Sequence, residues 1–192
     1  MNRRTVLASC GLTASALSGC LSTLPLGNES PEKRTVSMES VEQNLPGGLR
    51  VFVTLTEQRI TPDGTAAVEI ALKNTGSQSV TLDTGFYFPY TGSHSESGDW
   101  LLLAAPPAVN KSSSDCWEPA SDNGLGWPDT AERKTVSPGD EHAMEYQLWG
   151  NHEDDVCMPP GEFTFEHSYG VPEREATAEW EFSVSITSAD AN

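Results

Sequence analysis

Apolar side chains recur at every second position in segment after segment of this chain, and Gly- or Pro-bearing turns separate those segments. That pattern is the signature of half-buried β-strands rather than helices. The clearest run is Trp180, Phe182, Val184 and Ile186, alternating with Glu179, Glu181, Ser183 and Ser185. Val51, Val53 and Leu55 share a face, as do Ala66, Val68, Ile70 and Leu72 beyond the Pro62-Asp63-Gly64 turn. Asn74-Thr75-Gly76 ends that strand, Val80 and Leu82 begin the next, and Phe86 and Phe88 extend its alternation up to Pro89. Trp100–Ala104 reads as a short strand buried on both faces. After Pro138-Gly139-Asp140 come Met144, Tyr146 and Leu148; after Pro160-Gly161-Glu162 come Phe163, Phe165 and His167. No helical stripe supplies the crossovers a parallel sheet needs. The expected fold is an antiparallel β-sandwich of about seven to eight strands.

Composition tests whether such a chain folds at all. Leu, Ile, Val and Phe total 37 of 192 residues, and the formal net charge is −17; together these approach a disorder signature. Five Trp and four Tyr add apolar area outside that sum, and the alternation is clean, so the expectation is a folded domain behind a disordered front section. No run of 18 or more apolar residues occurs, so no helix spans a bilayer. A pI near 4.4 without a basic cluster argues against nucleic acid, because phosphate binding needs Lys and Arg to displace counter-ions.

The front of the chain reads as an address. Arg3 and Arg4 precede a short, weakly apolar stretch, and Asn2-Arg3-Arg4-Thr5-Val6-Leu7 resembles a twin-arginine export signal. Leu17-Ser18-Gly19-Cys20 is similar to a lipobox. That resemblance implies cleavage before Cys20 and a thioether lipid on its sulfur, anchoring the protein to the extracellular face of the cell membrane. Loss of residues 1–19 leaves 28 acidic against 9 basic side chains, a charge of −19. Such self-repulsion works against compactness at moderate salt and nearly vanishes at ionic strengths where the Debye length is about 3 Å. The combination resembles the secreted lipoproteins of halophilic archaea.

Residues 20–48, with Pro25, Pro31, Pro46 and Gly47-Gly48, read as the lipidated cysteine and a flexible linker, in which 35–41 could add only a marginal strand. The domain is expected over 49–188, with an insert at 105–133 and a tail at 189–192. Leu72-Lys73-Asn74-Thr75-Gly76, followed by Val80-Thr81-Leu82, resembles immunoglobulin-like modules of prokaryotic surfaces. The order Val136-Ser137-Pro138-Gly139-Asp140, then Tyr146-Gln147-Leu148-Trp149, then Pro160-Gly161-Glu162-Phe163-Thr164-Phe165 is similar to that of the BsuPI-type proteinase-inhibitor domain. The resemblance implies an immunoglobulin-like sandwich and carries over no inhibitory residue.

With Cys10 removed and Cys20 lipidated, Cys116 and Cys157 remain to pair outside the cell. They close a loop of about 42 residues, for which chain entropy gives about 4 kcal/mol, and they pin the insert. Trp117 and Trp127, with Tyr87 and Tyr90, have two readings: a platform for stacking a sugar or peptide, or a satellite core beneath the stapled loop, which is the default. Asn151-His152-Glu153-Asp154-Asp155 lacks the spaced pattern of a calcium loop and reads as a solvated turn. His142 and His167 fall on apolar faces and His94 in a polar loop, with no metal-ligand spacing among them, so neither metal nor cofactor is expected. Asn28 and Asn110 each begin a glycosylation sequon. No nucleophile elbow, phosphate-binding loop or free thiolate is present, so the chain is not expected to be an enzyme. The function expected is a non-catalytic binding or structural module for a protein or carbohydrate ligand. The alternatives are a proteinase-inhibitor-like module and a secreted hydrolase of unrecognised type.

Overall fold

The strongest alternation in the sequence becomes the longest strand, and the other strands assemble around it. The computed structural model describes residues 34–91, 94–107, 110–112, 116–120, 131–151, 157–174 and 176–188. Arg3, Arg4, Cys20, Asn28, Trp127, residues 152–155 of the acidic cluster and the tail 189–192 lie outside them. Among the described residues ten strands are present: β1 (Arg34–Asn44), β2 (Leu49–Glu57), β3 (Arg59–Ile60), β4 (Ala67–Asn74), β5 (Val80–Thr84), β6 (Trp100–Ala104), β7 (Glu132–Val136), β8 (Glu141–Gly150), β9 (Gly161–Val171) and β10 (Ala176–Ser188). A 3-10 turn at Pro172–Arg174 joins the last two, and no α-helix occurs among the described residues.

The strands form a six-stranded sheet, β3-β1-β10-β9-β5-β7, and a four-stranded sheet, β2-β4-β8-β6. Every pairing between them is antiparallel. The expected β-sandwich is therefore present, with more strands than the periodicity marked. Inner faces supply the core: Trp180, Phe182, Val184 and Ile186 from β10, Phe165 and Tyr169 from β9, and Val68, Ile70 and Leu72 from β4. Phe165 and Phe182 lie directly opposite in register and stack with centroids 5.2 Å apart. Each such side chain contributes about 1.5–3 kcal/mol by leaving water.

Two boundaries differ from the sequence reading. The linker expected over 20–48 does not run that far, because β1 begins at Arg34 and pairs with β10 from Arg34↔Ser188 to Asn44↔Glu179. A bulge between Met38 and Ser40 shifts the register, so Val36 and Met38 share one parity and Val41 takes the other. An extra residue breaks a period-two pattern even where the strand continues. The Gln43 side-chain amide then bonds both the N–H and the C=O of Val51, at 2.8 and 3.2 Å, and ties β1 to the edge of the second sheet. Phe86 and Phe88, in turn, do not extend a strand. β5 stops at Thr84 after a single pair with β9, Asp83↔Gly170. The chain then turns inward at Pro89, and Tyr90 is fully buried against Tyr146, His167 and Trp180.

β6 is buried on both faces without a parallel sheet to explain it. Trp100 and Leu102 join the main core, whereas Leu101 and Leu103 form a second cluster with Trp149 on the outer face of the four-stranded sheet. Register also fixes the two ends of the sandwich. Arg34, Ser188 and Gly161 lie at the end where the Arg34 Nε donates to the Met158 carbonyl, 3.2 Å away and next to Cys157. Asn44, Asn74 and the Pro138–Asp140 turn lie at the other. Asn74 clasps that end: its buried amide donates to the carbonyls of Gln78 and Val136 and accepts from the Gly76 N–H.

Candidate functional site

The stapled insert was the foremost candidate for ligand contact. Cys116 and Cys157, 41 positions apart in sequence, are disulfide-bonded, with their Cα atoms 6.0 Å apart. The bridge holds Trp117 against the second cluster, where it meets Trp149 edge-on at 5.4 Å. Its indole N–H donates to the Thr61 carbonyl at 2.7 Å. The Lys111 ammonium sits 4.0 Å over the ring and donates to the Pro62 carbonyl at 2.8 Å. An indole with its edge on another ring, its N–H satisfied and a cation on its face is placed as a small core, in a geometry worth roughly 0.5–2 kcal/mol beyond area burial. Trp117 and Trp149 thus meet, and Tyr87 and Tyr90 are not part of the same group.

Those two tyrosines belong to a loop, 85–91, that follows β5 and runs over mid-strand residues of β8, β9 and β10. Two buried hydroxyls hold it from below: Tyr146 donates to the Tyr90 carbonyl at 2.6 Å and accepts from the Tyr90 N–H, and Tyr169 donates to the Pro89 carbonyl. Burial pushes both phenols well above the usual tyrosine range, so they stay protonated donors across the physiological range. The Thr91 hydroxyl closes the loop on the Tyr87 carbonyl at 3.1 Å. Above this support Phe86 is 48% exposed and meets Tyr87 edge-on at 5.0 Å. Phe88 turns to the side, against the exposed His142 at 5.1 Å and toward Tyr169. Periodicity placed Phe86 within a strand; the N-terminal limb of a Gly85–Pro89 turn was the signal for the alternative.

The outer face of the six-stranded sheet carries a second feature that strand-by-strand reading cannot find. Glu42 lies opposite Glu181, and Glu181 lies opposite Glu166, so one carboxylate from each of β1, β10 and β9 stands in a row. The Glu96 N–H donates to the Thr164 carbonyl, which brings a fourth carboxylate beside β9. Hydrogen bonding and charge from Glu96 raise the Glu166 carboxyl above its usual range, with Glu181 and Glu179 adding repulsion. Glu42, Asn44, Glu166, Ser168, Glu179 and Glu181 line a shallow groove of about 810 Å³. Like charges directly opposite destabilise a sheet, and this face draws a counter-ion atmosphere.

Of the remaining candidates, His142 and His167 touch the loop through Phe88 and Tyr90, and His167 also lines the groove. His94 is exposed, and His142 is exposed at the start of β8 rather than at the core edge. His167 alone is packed, ringed by Tyr90, Tyr169 and Trp180 at 4.8–5.7 Å, with Nε2 buried and unbonded. Burial lowers its pKa to about 4. Among the described residues, the group with metal-ligand proximity is Cys116, Glu118 and Cys157, and its sulfurs are committed to the disulfide. Asn151, the described member of the acidic cluster, donates its amide to the Gly98 carbonyl at 2.8 Å, as a turn clasp. Asn110 is exposed.

No curated protein and no solved structure matches this chain. Over residues 1–93, which include β1 to β5 and the aromatic loop, the chain is similar to a family described as a domain of unknown function (DUF8130).

Proposed function

We propose that this chain is a lipid-anchored, extracellular, non-catalytic binding module that meets its partner through the Phe86–Tyr87 tip. The observation that carries the reading is a large aromatic side chain, about half exposed, on a loop immobilised by two buried tyrosine hydroxyls. A rigid aromatic gives contact area at low entropic cost, because little freedom remains to be lost on binding. The export signal at Arg3 and Arg4 and the lipobox cysteine Cys20 supply the location. Thirteen residues separate Cys20 from Arg34, a leash that reaches roughly 45 Å at full extension.

The test has two arms. Cys20→Ala is expected to move the protein from the membrane fraction to the soluble one. A photo-crosslinking residue at position 86 is expected to give one discrete higher-mass adduct on intact cells, and the same residue at the exposed Asp63 none. Adducts of equal yield at both positions, or none at position 86, defeat the binding role of the tip while leaving the anchor untouched.

A further inference from the structure

The Asn110-Lys111-Ser112 sequon remains unused by the proposed role, and its local geometry separates it from a chance triplet. Lys111 forms an isolated antiparallel bridge with Pro119, with the Ala120 N–H donating to the Asn110 carbonyl at 2.8 Å and the Ser112 N–H donating to the Glu118 carbonyl at 2.7 Å on either side of it. Lys111 takes the inner face, over the Trp117 ring and bonded to the Pro62 carbonyl. Asn110 and Ser112, which flank it, are both exposed. The ribbon is secured nearby by the Cys116–Cys157 bridge.

We infer that Asn110 is an N-glycosylation site whose amide and neighbouring Ser112 hydroxyl are presented together on the outside of the folded domain. This rests on the export reading above. A twin-arginine route delivers a folded chain, so an acceptor has to be reachable in the native state. The chemistry is a glycosyl transfer from a donor in which the sugar is joined to a lipid-linked phosphate. The Asn110 amide nitrogen attacks the anomeric carbon, a C–N bond forms, and the C–O bond to phosphate breaks. The phosphate leaves with that electron pair and the amide nitrogen gives up one proton. The Ser112 hydroxyl completes the acceptor pattern. The glycan then projects from the insert without disturbing Lys111 or Trp117, because both acceptor residues are exposed.

The experiment weighs the peptide containing residue 110 from full-length protein recovered from the membranes of its native cells. The mass is expected to exceed the polypeptide value by a glycan, to lose the whole increment in Asn110→Gln and Ser112→Ala, and to keep it in Ser112→Thr. All three variants are expected to melt with the parent, since both positions are exposed. A bare Asn110 in membrane-anchored protein, or a glycan confined to Asn28, overturns the inference and leaves the export reading standing. A bare Asn110 in protein that remains cytosolic with an unlipidated Cys20 overturns both.

Discussion

At the scale of single residues, two side chains decide how the domain responds to change. Trp117 loses an edge contact, a hydrogen bond and a cation on its ring if truncated. Trp117→Ala is expected to cost about 2–3 kcal/mol, which for a domain of this size lowers Tm by roughly 5–10 °C; calorimetry checks it. A variant melting with the parent would return Trp117 to the role of an open platform. His167 is neutral in the folded domain, with a pKa of about 4 against about 6.5 in an unfolded chain. The unfolded state therefore binds the extra proton first, and stability present above pH 6.5 is lost as pH falls toward 4. The loss approaches about 3 kcal/mol at its limit. Urea unfolding of the parent and of His167→Phe, whose neutral ring suits the same aromatic surround, should converge above pH 6.5 and diverge below it. Parallel curves would show that another group sets the acid limb.

At the scale of elements, β1 is the consequential strand. It lies between β3 and β10, and its Gln43 closes the gap to β2. A chain beginning at residue 49 loses the buried Val36 from the core and leaves unpaired the edge of β10, a 13-residue strand, that β1 covers. An open edge of that length invites pairing with another chain. Such a truncated chain is expected to aggregate or remain unfolded, whereas one beginning at residue 31 should fold cooperatively; circular dichroism and gel filtration distinguish them. A soluble, cooperatively melting fragment from residue 49 would mean that β1 is an accessory. Element boundaries explain the sequence reading too. β4, β8, β9 and β10 were legible because each keeps its phase, β2 because its irregularity falls only at its end, between Leu55 and Glu57, and β6 because its apolar run is continuous, whereas the bulge hid β1, and β7, with Glu132, Arg133 and Lys134 on an exposed edge, has no apolar run to see.

At the scale of the whole molecule, charge governs. The row Glu42, Glu181, Glu166 with Glu96 beside it concentrates on one sheet face the repulsion that the net charge spreads over the surface. Salt screens exposed charges at these separations, so the midpoint of unfolding is expected to rise steadily with KCl. Glu166→Gln should stabilise the domain at low salt and lose that advantage at multimolar KCl. Because the Glu166 carboxyl is raised in the folded state, mild acidification at low salt works in the same direction as added salt and against the His167 effect. Greatest stability at the lowest salt would remove the reading of a domain adapted to concentrated salt.

Period two, turn residues and a pair of leftover cysteines determined the architecture on their own, because alternation is a local property and any chain with these faces must bury them against a second sheet. The choice of face for each Trp, the exposure of Phe86 and the carboxylate row came only with tertiary structure. Each depends on which residues of distant strands stand opposite one another, and no local pattern encodes that register. Trp117 and Phe86 make the contrast plain. Both are aromatic and both were read from their neighbours in sequence, yet a disulfide and a second tryptophan draw one inward, while two buried hydroxyls beneath its loop hold the other out to solvent.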